Sequence, residues 1–331
     1  MRLVGYSDQG GRCDGVQIMV HRGYAYIGHI FSKGFTVVDV RDPSNPKVVK
    51  YVAAPPNTWT LHLQAFDDLL LVIHNKDMFA QPELADEKNY YKGSVDHHAK
   101  PESAGRNWSA GMAVYDISKP DDPEQIGFMP VEGTGLHRLW YVGGRWAYAS
   151  ALLDGFSDYI LITIDMQDPK KPVDGRQILA ARHERRGRRE GELADRRTAA
   201  SACTTPSSTT TSPIAAWRDA CLAVVDVKDK ANPKLDRPQD VGAAASAAAR
   251  TTRCRCPTAI CLIVVDETVL DNQEDGFKPI WVFDNQVKSQ PDQHLDLPSA
   301  LRTRTTLKVG GHFGPHNVHE NRPGQLQSAP S

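Results

Sequence analysis

The stretch FTVVDVRDPSNPKVVKYV, residues 35–52, decides the fold, because its pattern recurs four more times along the chain. A run of β-branched and aromatic residues ends in Asp39, and Pro46 follows seven positions later. The run has the length and composition of a buried β-strand. Aspartate can bond its own backbone and proline cannot donate to a sheet, so a turn should follow. The stretch therefore predicts a hairpin with a shorter returning strand.

The other copies keep the same interval between aspartate and proline. They lie at 112–129, 160–177, 222–239 and 280–297, with Asp116 and Pro123, Asp165 and Pro172, Asp226 and Pro233, and Asp284 and Pro291. Upstream of each copy, further apolar runs flank a polar turn, as in VQIMVHRGYAYIGH, residues 16–29. Each repeat is then about four antiparallel strands, and almost no helical periodicity is visible.

Four-stranded units repeated five or six times predict an all-β fold, a β-propeller, most simply with six blades and alternatively with seven. A solenoid is a further alternative, but solenoid repeats are usually shorter and carry helices or tight coils. RLVGYSD, residues 2–8, resembles the returning strand at 124–132 and predicts the outermost strand of the last blade. GGHFGPHNVHENRPG, residues 310–324, looks like the start of another unit, so we expect that last blade to be incomplete.

The runs LAVVD (222–226) and LIVVD (262–266), with their Asp-to-Pro turns, resemble the LVIVD-repeat family of bacterial β-propeller proteins. The resemblance covers most of residues 1–176, then 215–237, 262–290 and 308–324. More distantly, the chain is similar to selenium-binding-protein propellers. The first resemblance implies the architecture, and the second implies a metal-dependent, oxidoreductase-like activity.

We predict a single domain over residues 1–331, with a loop insertion at 76–110 in the second blade. Residues 177–214, 238–261 and 290–307 lack the strand period expected there. RTTRCRCPTAIC, residues 250–261, holds three of the six cysteines, which suggests either a metal or redox site or a frameshifted segment. The spacing is not a standard zinc pattern, and reading GC-rich codons one base earlier restores a hairpin. We therefore interpret these segments as frameshifted or irregular.

Composition excludes some classes of partner. The chain has 39 basic and 40 acidic residues, which favours neither nucleic acid nor an anionic membrane. No apolar stretch is long enough to span a bilayer, and the N-terminus lacks the features of a signal peptide. The cysteines outside the cluster are scattered, as in a reducing compartment. We therefore expect a cytoplasmic protein.

A ligand-type side chain recurs near the start of the first strand of each blade. The examples are Gln17, His62, His137 and His316. First strands line the central channel of a propeller, so these side chains could converge on its axis, where His319 could add a further ligand. Imidazoles suit a transition metal ion such as zinc, copper or iron. The alternative is structural, since a repeated residue in a repeated fold often ties strands together by hydrogen bonds.

No Ser-His-Asp order, phosphate loop or dinucleotide fingerprint is present. Two functional hypotheses follow. The first is a binding or scaffold protein that recognises a small molecule or a protein on the channel or on a loop face. The second is a metal-dependent enzyme that uses the axial histidines.

Overall fold

The structure is a computed structural model that describes residues 2–80, 105–154, 156 and 159–178. Beyond these it describes residues 228–229 and the backbone of eight strands between residues 203 and 295. The secondary structure of these parts is β-strand, apart from one 3-10 turn at Met78–Ala80. Within them, no helix is long and apolar enough to cross a membrane. The prediction of an all-β fold is confirmed.

The strands form five units, each with four strand positions in antiparallel order. The first unit is β1 (Gly15–His21), β2 (Tyr24–His29), β3 (Phe35–Asp39) and β4 (Lys47–Val52). The second is β5 (Thr58–Trp59) and β6 (Leu63–Phe66), which share the first position, then β7 (Leu69–Lys76), β8 (Gly111–Asp116) and β9 (Glu124–Pro130). In the chain, residues 77–110 of the predicted insertion at 76–110 follow the second strand of this unit and precede the third.

The third unit is β10 (Gly133–Trp140), β11 (Trp146–Leu153), β12 (Ile160–Asp165) and β13 (Val173–Ile178). One backbone pairing, Gly135 with Asn75, joins it to the second unit, so the two form one nine-stranded sheet. The fourth unit is β14 (Cys203–Thr204), β15 (Ile214–Trp217), β16 (Cys221–Asp226) and β17 (Lys234–Gln239). The fifth is β18 (Ala249–Arg255), β19 (Cys261–Glu267), β20 (Ile280–Asp284) and β21 (Pro291–Leu295).

The first strands of successive units contact one another in sequence, β1 with β6, β6 with β10, β10 with β14, and β14 with β18. Sheets that meet through their first strands in this way are the blades of a β-propeller. Six blades stay a prediction. Strands β14 and β18 occupy first-strand positions within the two segments interpreted as frameshifted, an interpretation that stays a hypothesis.

The predicted Asp-to-Pro hairpin is present in all three blades whose side chains are described. In each one the motif aspartate accepts a hydrogen bond from the backbone N–H two residues later, which closes the turn as expected for an aspartate at this position. These bonds run from Arg41 to Asp39 at 3.0 Å, from Ser118 to Asp116 at 2.7 Å, and from Gln167 to Asp165 at 2.9 Å. The turn therefore sets the same register between third and fourth strands each time.

The core lies between the blades because alternate residues of one strand point to opposite faces. In β7, Leu70 and Val72 pack in a cluster with the first blade, whereas Leu71 and Ile73 pack in a cluster with the third. All four side chains are fully buried. The second blade is thus held from both sides.

A buried histidine ties the first blade together. His29 Nδ1 lies 3.1 Å from Asp14 Oδ1, and its Nε2 lies 2.7 Å from Thr36 Oγ1. The imidazole and the hydroxyl are fully buried. The Asp14 carboxylate also accepts bonds from the backbone N–H groups of Phe31 and Ser32. The network joins β2 to β3 and fixes the loop between them.

The second blade contains the same histidine without the hydroxyl. The strand pairings place His74 where the first blade has His29, and Ala113 where it has Thr36. His74 Nδ1 lies 2.7 Å from Ser109 Oγ, while its Nε2 has no hydrogen-bond partner in the described part of the chain. Burial lowers the pKa of His74 to about 4, so the ring is neutral at pH 7.

We predict that Thr36→Val destabilises the protein by about 1–3 kcal/mol, because it leaves a buried imidazole nitrogen without a partner. Thr36→Ser keeps the hydroxyl and should cost less. Ala113→Ser supplies the missing hydroxyl to His74 and should stabilise by about 1 kcal/mol. Urea unfolding measures all three variants. Equal losses for Thr36→Val and Thr36→Ser would contradict the role of the hydroxyl.

The lowered pKa of Asp14 predicts that the folded protein loses stability in acid. Partial burial raises the pKa of its carboxyl, but the hydrogen bonds from Ser32 and Phe31 outweigh this and lower it to about 2. Because the folded pKa lies below the unfolded value, the contribution is complete above about pH 4 and is lost as the pH falls towards 2. Asp14→Asn should cost about 2 kcal/mol at pH 6 and little at pH 2. A constant difference between variant and wild type across this range would refute it.

Candidate functional site

The predicted site residues lie where the first strands depart from regular pairing. In β1 the register shifts immediately before Gln17, and in β10 it shifts across His137 and Arg138. His62 lies in the break between β5 and β6. Such bulges turn a side chain away from its regular direction and are common next to binding sites. The three blades thus share an irregularity at the position where the sequence repeats a ligand-type residue.

The structure brings Gln17, His62 and His137 together. Gln17 Oε1 lies 3.3 Å from His62 Nδ1 and accepts the backbone N–H of Leu63 at 2.9 Å. The rings of His62 and His137 meet edge to face, with centroids 5.2 Å apart. These residues come from three different blades. The predicted convergence of first-strand side chains is therefore present for these three.

Two further residues extend the contact chain. The ring of Tyr159 lies 5.4 Å from that of His137, and its hydroxyl accepts a hydrogen bond from Asn75 Nδ2 at 3.0 Å. We call Gln17, His62, His137, Tyr159 and Asn75 the channel row. Tyr159 and Asn75 were not predicted, since neither occupies the repeated first-strand position. A tyrosine just before the run ILITID was the available signal for the first of them.

Two glycines let the blades approach closely enough to form the channel row. A Cβ on Gly28 would overlap the carbonyl of Leu61, which directly precedes His62. A Cβ on Gly135 would overlap the carbonyl of His74, and its φ of +131° also favours glycine. Each glycine therefore permits contact between the backbones of neighbouring blades near the row.

Hydrogen bonding fixes the tautomer of His62. Because Gln17 Oε1 already accepts from the Leu63 N–H, the amide presents its oxygen to the imidazole. The ring must then carry a proton on Nδ1, where it can donate to that oxygen. A second partner that holds one nitrogen in this way is the arrangement found around metal-binding and proton-transferring histidines. His62 is also 2 % exposed, so its orientation is well constrained.

The tentative metal set is only partly represented in the described chain. Of its four members, His62 and His137 are described, whereas His316 and His319 lie outside the described residues. Among the residues whose side chains are described, no three His, Cys, Asp or Glu side chains lie close enough to hold a metal ion. A metal bound at His62 and His137 would need at least one ligand from outside these parts.

A carboxylate, an imidazole and a hydroxyl do occur in series, at Asp14, His29 and Thr36. That order could suggest an activated nucleophile. However, Thr36 is fully buried between β2 and β4, so its hydroxyl is closed to a substrate. The series is therefore a structural network. It also shows that a strand-tying histidine in this chain, His29, lies at the end of a second strand and not at the repeated first-strand position.

We predict that His62 is the Nδ1–H tautomer, because Gln17 presents its acceptor oxygen to Nδ1. Nitrogen-detected NMR of histidine-labelled protein distinguishes a protonated Nδ1 from a protonated Nε2. Gln17→Ala should mix the two tautomers, and Gln17→Glu should retain the Nδ1–H form. A dominant Nε2–H form in the wild type would contradict the assignment.

Two solved structures align with most of the chain. The first is the periplasmic gluconolactonase PpgL of Pseudomonas aeruginosa, with a TM-score of 0.54 and 13% identity over 86% of this chain and 71% of that one. The second is Sqt1 of Saccharomyces cerevisiae, with a TM-score of 0.47 and 10% identity over 83% of this chain and 61% of that one. At such identity the first likeness shows the fold alone.

No curated protein matches the sequence significantly. Residues 14–53, which comprise all of β1 to β4, match the family described as LVIVD repeat. The resemblance predicted from the Asp-to-Pro hairpins is confirmed for this segment. The chain is thus a β-propeller protein with an LVIVD repeat at residues 14–53.

Proposed function

We propose that the protein is a binding protein whose central channel takes a small polar molecule at the channel row. The observation that carries this proposal is the meeting of Gln17, His62 and His137 from three blades in one set of contacts. A structural role for each blade alone would not require the three to touch. Sites between structural units, lined by a few convergent polar groups, are typical ligand sites.

The chemistry of the channel row favours a ligand with hydroxyl or carbonyl groups. Its members offer two amides, two imidazoles and a phenol, and no carboxylate. Such groups both donate and accept hydrogen bonds without a formal charge. Gln17 and His137 are partly exposed, whereas His62 and Asn75 are buried. A ligand would therefore contact Gln17 and His137 first, supported by the buried members behind them.

A metal-dependent enzyme is the second candidate. The held orientation of His62 favours it, because Gln17 Oε1 faces its Nδ1, and metal-binding histidines are commonly held by a second partner in this way. His137 lies beside it and could supply a second imidazole. The remaining ligands would come from His316 or His319, as the sequence predicted. The reaction would be oxidoreductase-like, in line with the more distant resemblance, and the compartment stays the predicted cytoplasm.

We predict that His62→Ala and His137→Ala each weaken ligand binding at least tenfold. Native mass spectrometry of the purified protein identifies a retained molecule, and thermal-shift assays with hydroxyl- and carbonyl-bearing compounds provide a second readout. His21→Ala is the matched control, because His21 lies at the opposite end of β1 and bonds the carbonyl of Asp67. Its binding should equal that of the wild type.

Metal analysis separates the two candidates. Stoichiometric zinc, copper or iron that is lost in the His62→Ala, His137→Ala double variant would favour the enzyme, and oxygen consumption with small sulfur compounds would then be assayed. Binding of an organic molecule without metal would favour the binding protein. If neither alanine variant changes the binding of metal or of an organic molecule, the channel row has a structural role and both proposed functions are wrong.

A further inference from the structure

Two buried polar atoms beside the channel row have no hydrogen-bond partner in the described part of the chain. One is the indole nitrogen Nε1 of Trp59, and the other is the amide oxygen Oδ1 of Asn75. Trp59 is 4 % exposed, and Asn75 is fully buried. An indole N–H can only donate a hydrogen bond, and an amide oxygen can only accept one. The two atoms are therefore a complementary donor and acceptor.

The strand pairing places these two residues side by side. Trp59 in β5 is paired directly opposite Asn75 in β7. Residues opposite each other in an antiparallel pair point to the same face of the sheet, with their Cβ atoms about 5 Å apart. Trp59 Nε1 and Asn75 Oδ1 nevertheless do not bond to each other, since both atoms lack a partner. One bound group that both accepts and donates a hydrogen bond could satisfy the two.

The channel row fixes the orientation of the Asn75 amide. Its Nδ2 donates to the hydroxyl of Tyr159 at 3.0 Å, and the ring of Tyr159 lies 5.4 Å from that of His137. The amide oxygen is left over after this contact is made. Buried polar groups in folded proteins nearly always have a partner, and a buried indole N–H usually finds one. The unused donor and acceptor at the row therefore indicate a place for a bound molecule.

A series of aromatic rings connects Trp59 with the surface. The ring of Phe79 lies 5.3 Å from that of Trp59, and the ring of Phe31 lies 5.1 Å from that of Phe79. Phe31 is 64% and Phe79 46% exposed, whereas Trp59 is buried. The charges nearest to these rings in the chain neutralise each other, because Lys33 Nζ pairs with Asp77 Oδ2 at 2.7 Å. The approach to Trp59 is thus apolar and without net charge.

We propose that the channel row binds a neutral compound with several hydroxyl groups, one of which bridges Trp59 and Asn75. The indole N–H donates to the hydroxyl oxygen, and the hydroxyl donates to Asn75 Oδ1. A hydroxyl makes both bonds through one oxygen, whereas a carbonyl or an ether oxygen can only accept. The C–H groups of the compound pack on Phe79 and Phe31, as apolar surface does in most ligand sites. This inference rests on the proposed function, since the same compound occupies the channel row.

The probes are glucose, myo-inositol and mannitol, which carry hydroxyl groups on a cyclic or an open carbon framework. Each is titrated into the full chain labelled with ¹⁵N-tryptophan, and the indole N–H signals are followed by NMR. The signal that is absent in Trp59→Phe belongs to Trp59. At least one probe should move this signal downfield and saturably, because its proton gains an acceptor. If none of the three probes moves it, the proposal is overturned.

Trp108 provides a matched control in the same spectra. Its Nε1 already donates to the carbonyl of Thr134 at 3.0 Å, so its signal should not move when a probe binds. A buried water is the other possible occupant of the Trp59 and Asn75 pair. A cross-peak between the Trp59 indole proton and a long-lived water that persists at saturating probe would identify that water and overturn the proposal.

Two tryptophan variants locate the contact. Trp59→Phe keeps an aromatic ring beside Phe79 and removes the unused N–H, so the affinity for the probe should fall at least tenfold. Trp108→Phe makes the same change in a tryptophan outside the channel row and should leave the affinity unchanged. Circular dichroism and thermal unfolding establish that both variants are folded. If Trp59→Phe does not fold, Asn75→Leu, which lacks the acceptor, replaces it and should weaken binding to the same extent.

Fluorinated analogues of the bound probe test the bond to Asn75. Fluorine in place of one hydroxyl is similar in size but cannot donate a hydrogen bond. Replacement at the bridging position should weaken binding to the wild type at least tenfold and have little further effect on Asn75→Leu. Equal losses in the wild type and in Asn75→Leu at every position would overturn the bridge.

Failure of this inference differs from failure of the proposed function. If an organic molecule loses affinity in His62→Ala but not in Trp59→Phe, the channel row binds that molecule and the hydroxyl bridge is wrong. If a probe loses affinity in Trp59→Phe but not in His62→Ala, the probe does not occupy the channel row, which also overturns the proposal. Loss of probe affinity in both variants supports it.

Discussion

The hydrogen bond from a backbone N–H to the motif aspartate two residues earlier is the contact on which the blades depend. It recurs at Asp39, Asp116 and Asp165 and closes the turn between third and fourth strands. In the first four units the fourth strand returns in the same register, with the motif aspartate opposite the residue eight positions later. The residue eleven positions after the aspartate then meets the next blade, as Lys50 and Gly127 do. A local turn therefore sets the contact between blades.

The buried histidines between the blades occupy two kinds of place. Strands such as β7 are apolar on both faces, because each face meets another blade. The buried histidines lie where the strands are irregular or end, and there they need partners. His29 and His74 lie at or near the ends of second strands and bond to neighbouring loops. The channel row lies at the bulges of the first strands, where side chains from several blades can meet.

Some residues of the candidate site could be predicted from their repeated position in the sequence. Gln17, His62 and His137 share a position relative to the first strand, so the sequence predicted that they converge. Tyr159 and Asn75 could not be found in this way, because they enter the row from the segment before β12 and from the end of β7. Their position depends on how one blade packs against the next. The spacing of residues within one repeat does not predict this packing between blades.

The sequence by itself determined the hairpins, the all-β class and the positions of the first-strand histidines, since strand period and turn chemistry act between residues close in the chain. Only the tertiary structure decided that Gln17 bonds to His62, or that Gly5 packs on Pro43. These contacts join residues about 40 positions apart or more. They exist because the blades share common faces, and the fit of two faces depends on all of the side chains that pack between them.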